Sequence, residues 1–144
     1  MASVKIELPA AWSFRTELPV RITDINYGGH VGNDALLALI QEARVRWLGQ
    51  FGWTEKLDAT TGLIMVDVAV RFKAELHYGD TLVIQLAPED WTRLGFDLVY
   101  LLTRPDGSEV ARARSGFVFF DYAARKMTAR PAGFQERVTG GPVA

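Results

Sequence analysis

From Phe14 to Ile22 the chain alternates in character, with Phe14, Thr16, Leu18, Val20 and Ile22 on one side and Arg15, Glu17, Pro19, Arg21 and Thr23 on the other. A period of two predicts a half-buried strand. Pro19 has no N–H to give to a ladder, which assigns this strand to a sheet edge or a bulge. The pattern breaks at Asp24-Ile25-Asn26-Tyr27-Gly28-Gly29-His30-Val31-Gly32, a loop whose three glycines open backbone conformations closed to other residues. Asn33 follows as a candidate N-cap, and from Asp34 to about Phe51 the period is helical. The first half of this helix, Ala35 to Ile40, is apolar nearly all round, which predicts burial on every side. Gln41, Glu42, Arg44, Arg46 and Gln50 turn the second half polar, so that end emerges toward solvent or a partner.

Beyond a connector containing Gly52 and Gly62, the chain reads as strands to about Met127. Ile64, Val66, Val68, Val70 and Phe72 alternate with Met65, Asp67, Ala69, Arg71 and Lys73, which predicts a strand with one core face. Thr81 to Leu86, Phe96 to Thr103 and Val110 to Asp121 continue the series, with turn signals at Tyr78-Gly79-Asp80, Thr92 to Gly95 and Pro105-Asp106-Gly107-Ser108. Residues 1 to 13 read as an arm, and the glycine-rich tail beyond Pro131 as loosely held. One apolar helix with one strand before it and four long ones after it predicts an α+β fold, an antiparallel sheet curled around a central helix. The open face and edges of such a sheet favour self-association to a dimer or tetramer.

Composition narrows the field of functions. At 144 residues the chain has the length of one domain, and 49% hydrophobic with 23% charged residues is a globular balance. A formal charge of -1 supplies no overall positive field for nucleic acid or an anionic membrane. The absence of cysteine removes disulfides, thiolate nucleophiles and Cys-based metal sites, and is compatible with a reducing cytoplasm. Only His30 and His77 can serve as histidine bases, and no serine stands in a G-x-S-x-G elbow. The longest apolar run, Ala35 to Ile40, is far too short to span a bilayer, so the expectation is a soluble, unprocessed, cytoplasmic protein.

The stretch Arg21-Ile22-Thr23-Asp24-Ile25-Asn26-Tyr27-Gly28-Gly29-His30-Val31-Gly32-Asn33, followed by Gln41-Glu42-Ala43-Arg44, resembles a family pattern D-x-D-x-x-G-H-V-N-N, then E-E-A-R. That pattern belongs to the hot-dog-fold acyl-CoA thioesterases of the 4-hydroxybenzoyl-CoA thioesterase type. Val70-Arg71-Phe72, Tyr78-Gly79-Asp80-Thr81-Leu82 and Phe117 to Lys126 resemble later segments of the same family, so the likeness covers about residues 12 to 131. It implies a single hot-dog domain that hydrolyses an acyl-CoA, or acyl-carrier-protein, thioester without metal or redox cofactor, CoA being part of the substrate. Hot-dog folds also serve hydratases, dehydratases and non-catalytic acyl-CoA-binding modules.

The chain departs from the pattern where it matters chemically. The second Asp of D-x-D, the catalytic carboxylate in many members, is Asn26, and an amide is neither nucleophile nor general base. Glu42 on the helix is the first candidate to replace it, since some members place their carboxylate there and commonly use it across a subunit interface. A Glu42 to Arg46 pair at i, i+4 accounts for it equally well. Asp34, whose charge also suits a helix start, and Asp24, which more often braces the loop, are the other candidates. His30 and Asn26 would orient water and thioester, Asn33 is shared between site and cap, and Gly28, Gly29 and Gly32 would admit the carbonyl to backbone N–H donors. Arg71, Arg112 and Arg114 are candidate phosphate clamps or ordinary strand-face residues, Asp67 falls with Arg71 on the polar face and reads as solvated or ion-paired, and Trp12, Trp47, Trp53 and Trp91 as core, interface or pocket lining.

Overall fold

In the computed structural model, which describes residues 3–139, the chain forms β1 (Phe14–Pro19), a 3-10 turn at Ile22–Asp24, and α1 (Asn33–Gly49). It continues through β2 (Thr61–Phe72), β3 (Thr81–Glu89), β4 (Gly95–Thr103), β5 (Glu109–Asp121), β6 (Lys126–Met127) and α2 (Phe134–Thr139). All ladders are antiparallel, in the order β1-β3-β4-β5-β2, with β6 beside β5. The α+β arrangement expected from the periodicities is present, and the four long strands after the helix are β2 to β5. No helix among the described residues is long and apolar enough to cross a membrane.

Leu36, Leu39, Ile40, Ala43, Trp47 and Leu48 of α1 share one core with Leu82, Ile84, Leu86, Leu98, Tyr100, Leu102, Ala111, Ala113, Phe117 and Phe119 of the sheet. These strand residues alternate along β3, β4 and β5, so one sheet face is applied to the helix. Both strand prolines obey the ladder's demand for N–H donors. Pro19 ends the edge strand β1, and Pro88 lies beyond Leu86, the last β3 residue paired with β1. The N-terminal arm lies against the sheet rather than free, with Ile6 buried and its carbonyl accepting from Arg112 Nη1 at 3.0 Å.

Three expectations need correction. The alternation read along Ile64 to Lys73 is interrupted by a bulge: Met65 pairs with Phe117 and Asp67 with Gly116, leaving Val66 as the extra residue. Leu63 and Met65 therefore share the helix-side face with Val68, Val70 and Phe72, whereas Ile64 and Val66 do not. Nor is this a fully covered core face, since Met65, Val66, Val68 and Phe72 are 38–58% exposed. The helix, secondly, is not buried on every side. Leu37, Ala38 and Val45 face outward beside Asp34, Gln41 and Glu42, forming an open stripe next to β2. Thirdly, the tail is docked as far as Thr139. Phe134 and Val138 of α2 are buried, and Phe134 stacks on Trp53 at 5.0 Å and meets Phe119 edge-on at 5.0 Å. Glycine content alone concealed these two anchors. Residues 140–144, part of the same expectation, lie outside the described residues.

The passage from β1 into α1 is held by Asp24, only 4% exposed. Its carboxylate accepts from the Arg21 N–H at 2.8 Å and from Arg21 Nε and Nη2 at 3.3 and 3.0 Å, and its carbonyl accepts the Gly32 N–H at 3.0 Å. Burial alone would push the carboxyl up, but the hydrogen bonds from the Arg21 side chain and N–H outweigh it and hold Asp24 below the usual carboxylate range. A carboxyl lowered in the fold stabilises it fully above the unfolded value of about 3.9, and this contribution is lost as pH falls through the lower folded value. Asp24→Asn should therefore cost about 1–3 kcal/mol at pH 7 by urea unfolding. Between about pH 4 and more acid conditions the wild type should lose stability more steeply than the variant, and parallel curves would show the brace to be inert. Phe134→Ala should cost about 3–5 kcal/mol in the same assay, whereas a loosely held tail would make it nearly silent.

Candidate active site

The loop after Asp24 closes on itself. Ile25 and Val31 form an isolated antiparallel bridge, Asn26 N–H donates to the His30 carbonyl at 2.9 Å, and Val31 N–H donates to the Leu76 carbonyl at 2.9 Å. Gly29 takes the corner at φ +82°, in the left-handed region that favours glycine. Its N–H donates to the Asn26 carbonyl at 3.1 Å. At Gly28 and Gly32 the constraint is space. A Cβ on Gly28 would stand 3.0 Å from His30 Nε2 and 3.2 Å from Asn26 Oδ1. On Gly32 it would stand 2.6 Å from Asp34 Oδ1 and 3.8 Å from Asn26 Nδ2.

These close approaches define the cluster. Asn26 shares the surroundings of Gly28 with His30 and the surroundings of Gly32 with Asp34. Asn26 Oδ1 accepts the Gly28 N–H at 2.9 Å, which orients the amide and leaves Nδ2 free to donate. His30 Nδ1 lies 3.2 Å from the Val31 carbonyl, an acceptor only, so Nδ1 carries the proton and Nε2 is the working nitrogen. Nε2 also lies 3.7 Å from Glu75 Oε1, whose other oxygen is 3.6 Å from His77 Nε2.

Asn33 does not cap the helix. Gly32 occupies the N-cap with extended φ and ψ and no side-chain cap bond is made, so Asn33 is the first helical residue. The N–H groups of Asn33 and Asp34 therefore have no intrahelical acceptor and face the loop at the positive end of the helix dipole. The three glycines were expected to frame the oxyanion site, but their own N–H groups are taken: Gly28 by Asn26 Oδ1, Gly29 by the Asn26 carbonyl, Gly32 by the Asp24 carbonyl.

Two pockets flank the helix start. One, of about 260 Å³, is lined by His30, Asn33, Leu36, Phe72, Lys73 and Glu75 among others. The second, of about 250 Å³, opens between α1 and β2 and is lined by Asp34, Leu37, Ile40, Gln41, Arg44, Met65, Val68 and Ser115 among others. Its depth holds a polar chain that sequence reading missed. Arg44, 5% exposed, donates Nε to Glu55 at 2.9 Å and Nη1 to the Tyr100 hydroxyl at 3.3 Å, and that hydroxyl lies 2.8 Å from Ser115 Oγ. Burial raises the Tyr100 hydroxyl above its ordinary range despite the neighbouring guanidinium.

Glu42, first choice for the missing carboxylate, lies apart from this cluster within the chain. It is half exposed, receives Arg46 Nε at 3.0 Å, and lines a separate crevice with Leu18, Pro19, Arg21 and Leu39. Asp24 braces the loop from inside. Arg112 is committed to Glu109 and Ile6, and Arg114 to Glu89, Asp90 and Asp97, so neither is poised as a phosphate clamp. Asp67 is exposed, in keeping with the solvated reading, and accepts the Gly116 N–H at 3.1 Å beside the bulge. Trp47, Trp53 and Trp91 join an aromatic cluster with Phe51, Phe96 and Phe134, away from both pockets. Glu75 had no motif to announce it; only the fold brings it between the two histidines.

No curated protein is similar enough to count as a relative. Among solved structures, a 1,4-dihydroxy-2-naphthoyl-CoA thioesterase from Synechocystis superimposes with a TM-score of 0.80 at 23% identity, covering 87% of this chain and 94% of that one. The probable thioesterase YbaW from Escherichia coli gives 0.77 at 22%, covering 90% and 98%. A hypothetical protein from Staphylococcus aureus in complex with CoA gives 0.81 at 18%, covering 92% and 87%. At these identities the likeness establishes the hot-dog fold. The sequence model of the thioesterase-like superfamily matches residues 20–138, a span that runs from the end of β1 through the Asn26–His30–Asp34 loop to α2, and on that match the chain belongs to the thioesterase-like superfamily.

Proposed function

We propose that the protein is an acyl-CoA thioesterase in which Asp34 supplies the carboxylate that Asn26 cannot. The observation that carries this reading is the approach of Asp34 and Asn26 to the same face of Gly32, which puts an acid beside the amide at an uncapped helix start. Asp34 takes a proton from water, the resulting hydroxide adds to the thioester carbonyl, and the tetrahedral oxyanion is held by the N–H groups of Asn33 and Asp34. Collapse breaks the C–S bond, leaving a carboxylic acid, and the thiolate of CoA recovers the proton. Asn26 Nδ2 and His30 Nε2 orient water and thioester, and the two pockets on either side of the helix start receive the two arms of the substrate.

Self-association belongs to the same reading. The outward stripe of α1 and the exposed apolar side chains of β2 are contiguous across the Asp34 pocket, and β2 is one of the two end strands of the sheet path, opposite β1. A second copy placed edge to edge on β2 would cover both. It would also carry its own Glu42 toward the interface.

Asn26 itself favours a second reading, an acyl-CoA-binding module without turnover. Thiol release from short, medium, long and aromatic acyl-CoAs separates the two, since the protein has no cysteine to react with the thiol reagent. Turnover is expected. Silence accompanied by a raised melting temperature with acyl-CoA would leave the binding module. On the best substrate, Asp34→Asn should lower kcat by about 10²–10⁴, a larger loss than Glu42→Ala produces; the reverse ranking would return the role to Glu42. Sedimentation should give a dimer or larger at micromolar concentration, and Val68→Lys should shift it toward monomer. A monomeric wild type would remove the edge-to-edge arrangement.

A further inference from the structure

Independently of the thioesterase reading, we propose that the N-terminal arm is a stopper on a second self-association surface, the sheet face turned away from α1, and that a second copy of the chain pairs with this face once the arm leaves it. The starting observation is a set of buried residues outside the main core. Ile6, Val83, Ala87 and Val99 are buried, yet none belongs to the cluster shared by α1 and the sheet. Along β3 and β4 the helix-side positions are Leu82, Ile84, Leu86, Leu98 and Tyr100, so Val83, Ala87 and Val99 lie on the opposite face. Two anchors carry the arm across them. Arg112 of β5 holds the Ile6 carbonyl, and the Ser13 N–H donates to the Leu86 carbonyl of β3 at 3.0 Å, with β4 between those strands.

The same face has two ends of opposite charge. At one, Arg71, its ladder partner Arg112, and Lys73 surround Glu109, with Arg112 Nη2 at 3.0 Å and Lys73 Nζ at 3.8 Å from the carboxylate. Three cations meet one acid there. At the other, Arg114 pairs with Glu89 at 2.6 Å, with Asp97 at 2.9 Å and with Asp90. Asp67 joins them, since its Oδ1 and that of Asp97 both crowd the space that a Cβ on Gly116 would fill. Four acids meet one guanidinium there. Arg71 and Asp67 stand four residues apart on β2, roughly 13 Å at the strand rise. A two-fold axis running across the strands sets the basic end of each copy on the acidic end of the other. The docked arm prevents this, because facing sheets pack only about 10 Å apart and the arm takes up that space over β4. It also removes the driving force. With Val83, Ala87 and Val99 covered, what remains is solvated ion pairs, which hold two copies weakly; a released arm uncovers the apolar strip between the charged ends.

Ile6→Asp tests this by placing a charge where the arm is anchored. Sedimentation at micromolar concentration should give twice the wild-type mass, whatever that mass is, and adding Arg71→Glu should return it to the wild-type value. Arg71→Glu alone should leave the mass unchanged. Trypsin reports the arm directly, since the bond after Lys5 is guarded while Ile6 is buried and should be cut faster in Ile6→Asp. If Ile6→Asp does not fold, Arg112→Gln, which removes the bond to the Ile6 carbonyl, takes its place. A freed arm with unchanged mass overturns the proposal, as do aggregates indifferent to Arg71→Glu. So does an arm that stays guarded in the folded variant, which denies the anchor. A wild type whose own mass is halved by Arg71→Glu would show that the docked arm stops nothing.

Discussion

A buried carboxylate governs how this chain enters its long helix. Asp24 draws the Arg21 side chain and N–H toward itself, and its own carbonyl holds the Gly32 N–H. These contacts fix both ends of the loop that leads from the edge strand to α1. With the ends fixed, the loop between them is tight, and His30 and Asp34 sit close enough that a Cβ on Gly28 or Gly32 would meet them. A charge-assisted brace of this kind is strong for its size because the acceptor is shielded from water while the backbone it holds is short. The site's geometry is thus a consequence of the fold's least exposed acid, which itself does no chemistry in the reading favoured here.

The order and type of the main elements were legible because their periods are long and unambiguous: an apolar helix and four extended strands leave few arrangements. What failed was inference about coverage. An apolar residue signals that something covers it, without saying whether the cover is in the same chain. Leu37 and Val45 on α1, with Met65, Val68 and Phe72 on β2, satisfied the pattern for a buried face and are partly open in the single chain. The bulge at Val66 was equally silent, since one inserted residue in an otherwise alternating run leaves composition unchanged while moving every later side chain to the other face.

The site divides in the same way. Its loop was marked by three glycines and by likeness to a family; the family holds, and of the glycines Gly29 alone takes the left-handed backbone, while Gly28 and Gly32 answer to crowding by side chains that the sequence does not show. Asn33 was misplaced by one position, since Gly32 can take the extended N-cap conformation without offering a side chain. Glu75, Tyr100 and Ser115 were invisible because their relevance depends on strand pairing and loop placement that no short motif records. Arg44 lay within a recognised motif, yet only the sheet supplies the Tyr100 and Ser115 partners that give its buried charge a direction.

The one-residue shift at the helix start has a geometric consequence for function. Successive residues of an α-helix diverge by about 100° around its axis, so Asn33 and Asp34 must face different sides. Asn33 accordingly lines the His30 pocket, and Asp34 lines the pocket that leads to Ser115. Had Asn33 been the cap, its side chain would have been folded back onto the helix N–H groups, and those donors would be occupied. With glycine in that place, the first turn keeps its N–H groups free at the junction of two cavities. A thioester is a linear group with a carbonyl at its middle and unlike arms on either side. A helix start that separates two pockets while leaving its donors unspent matches that shape, and a substrate with a single arm would leave one pocket idle.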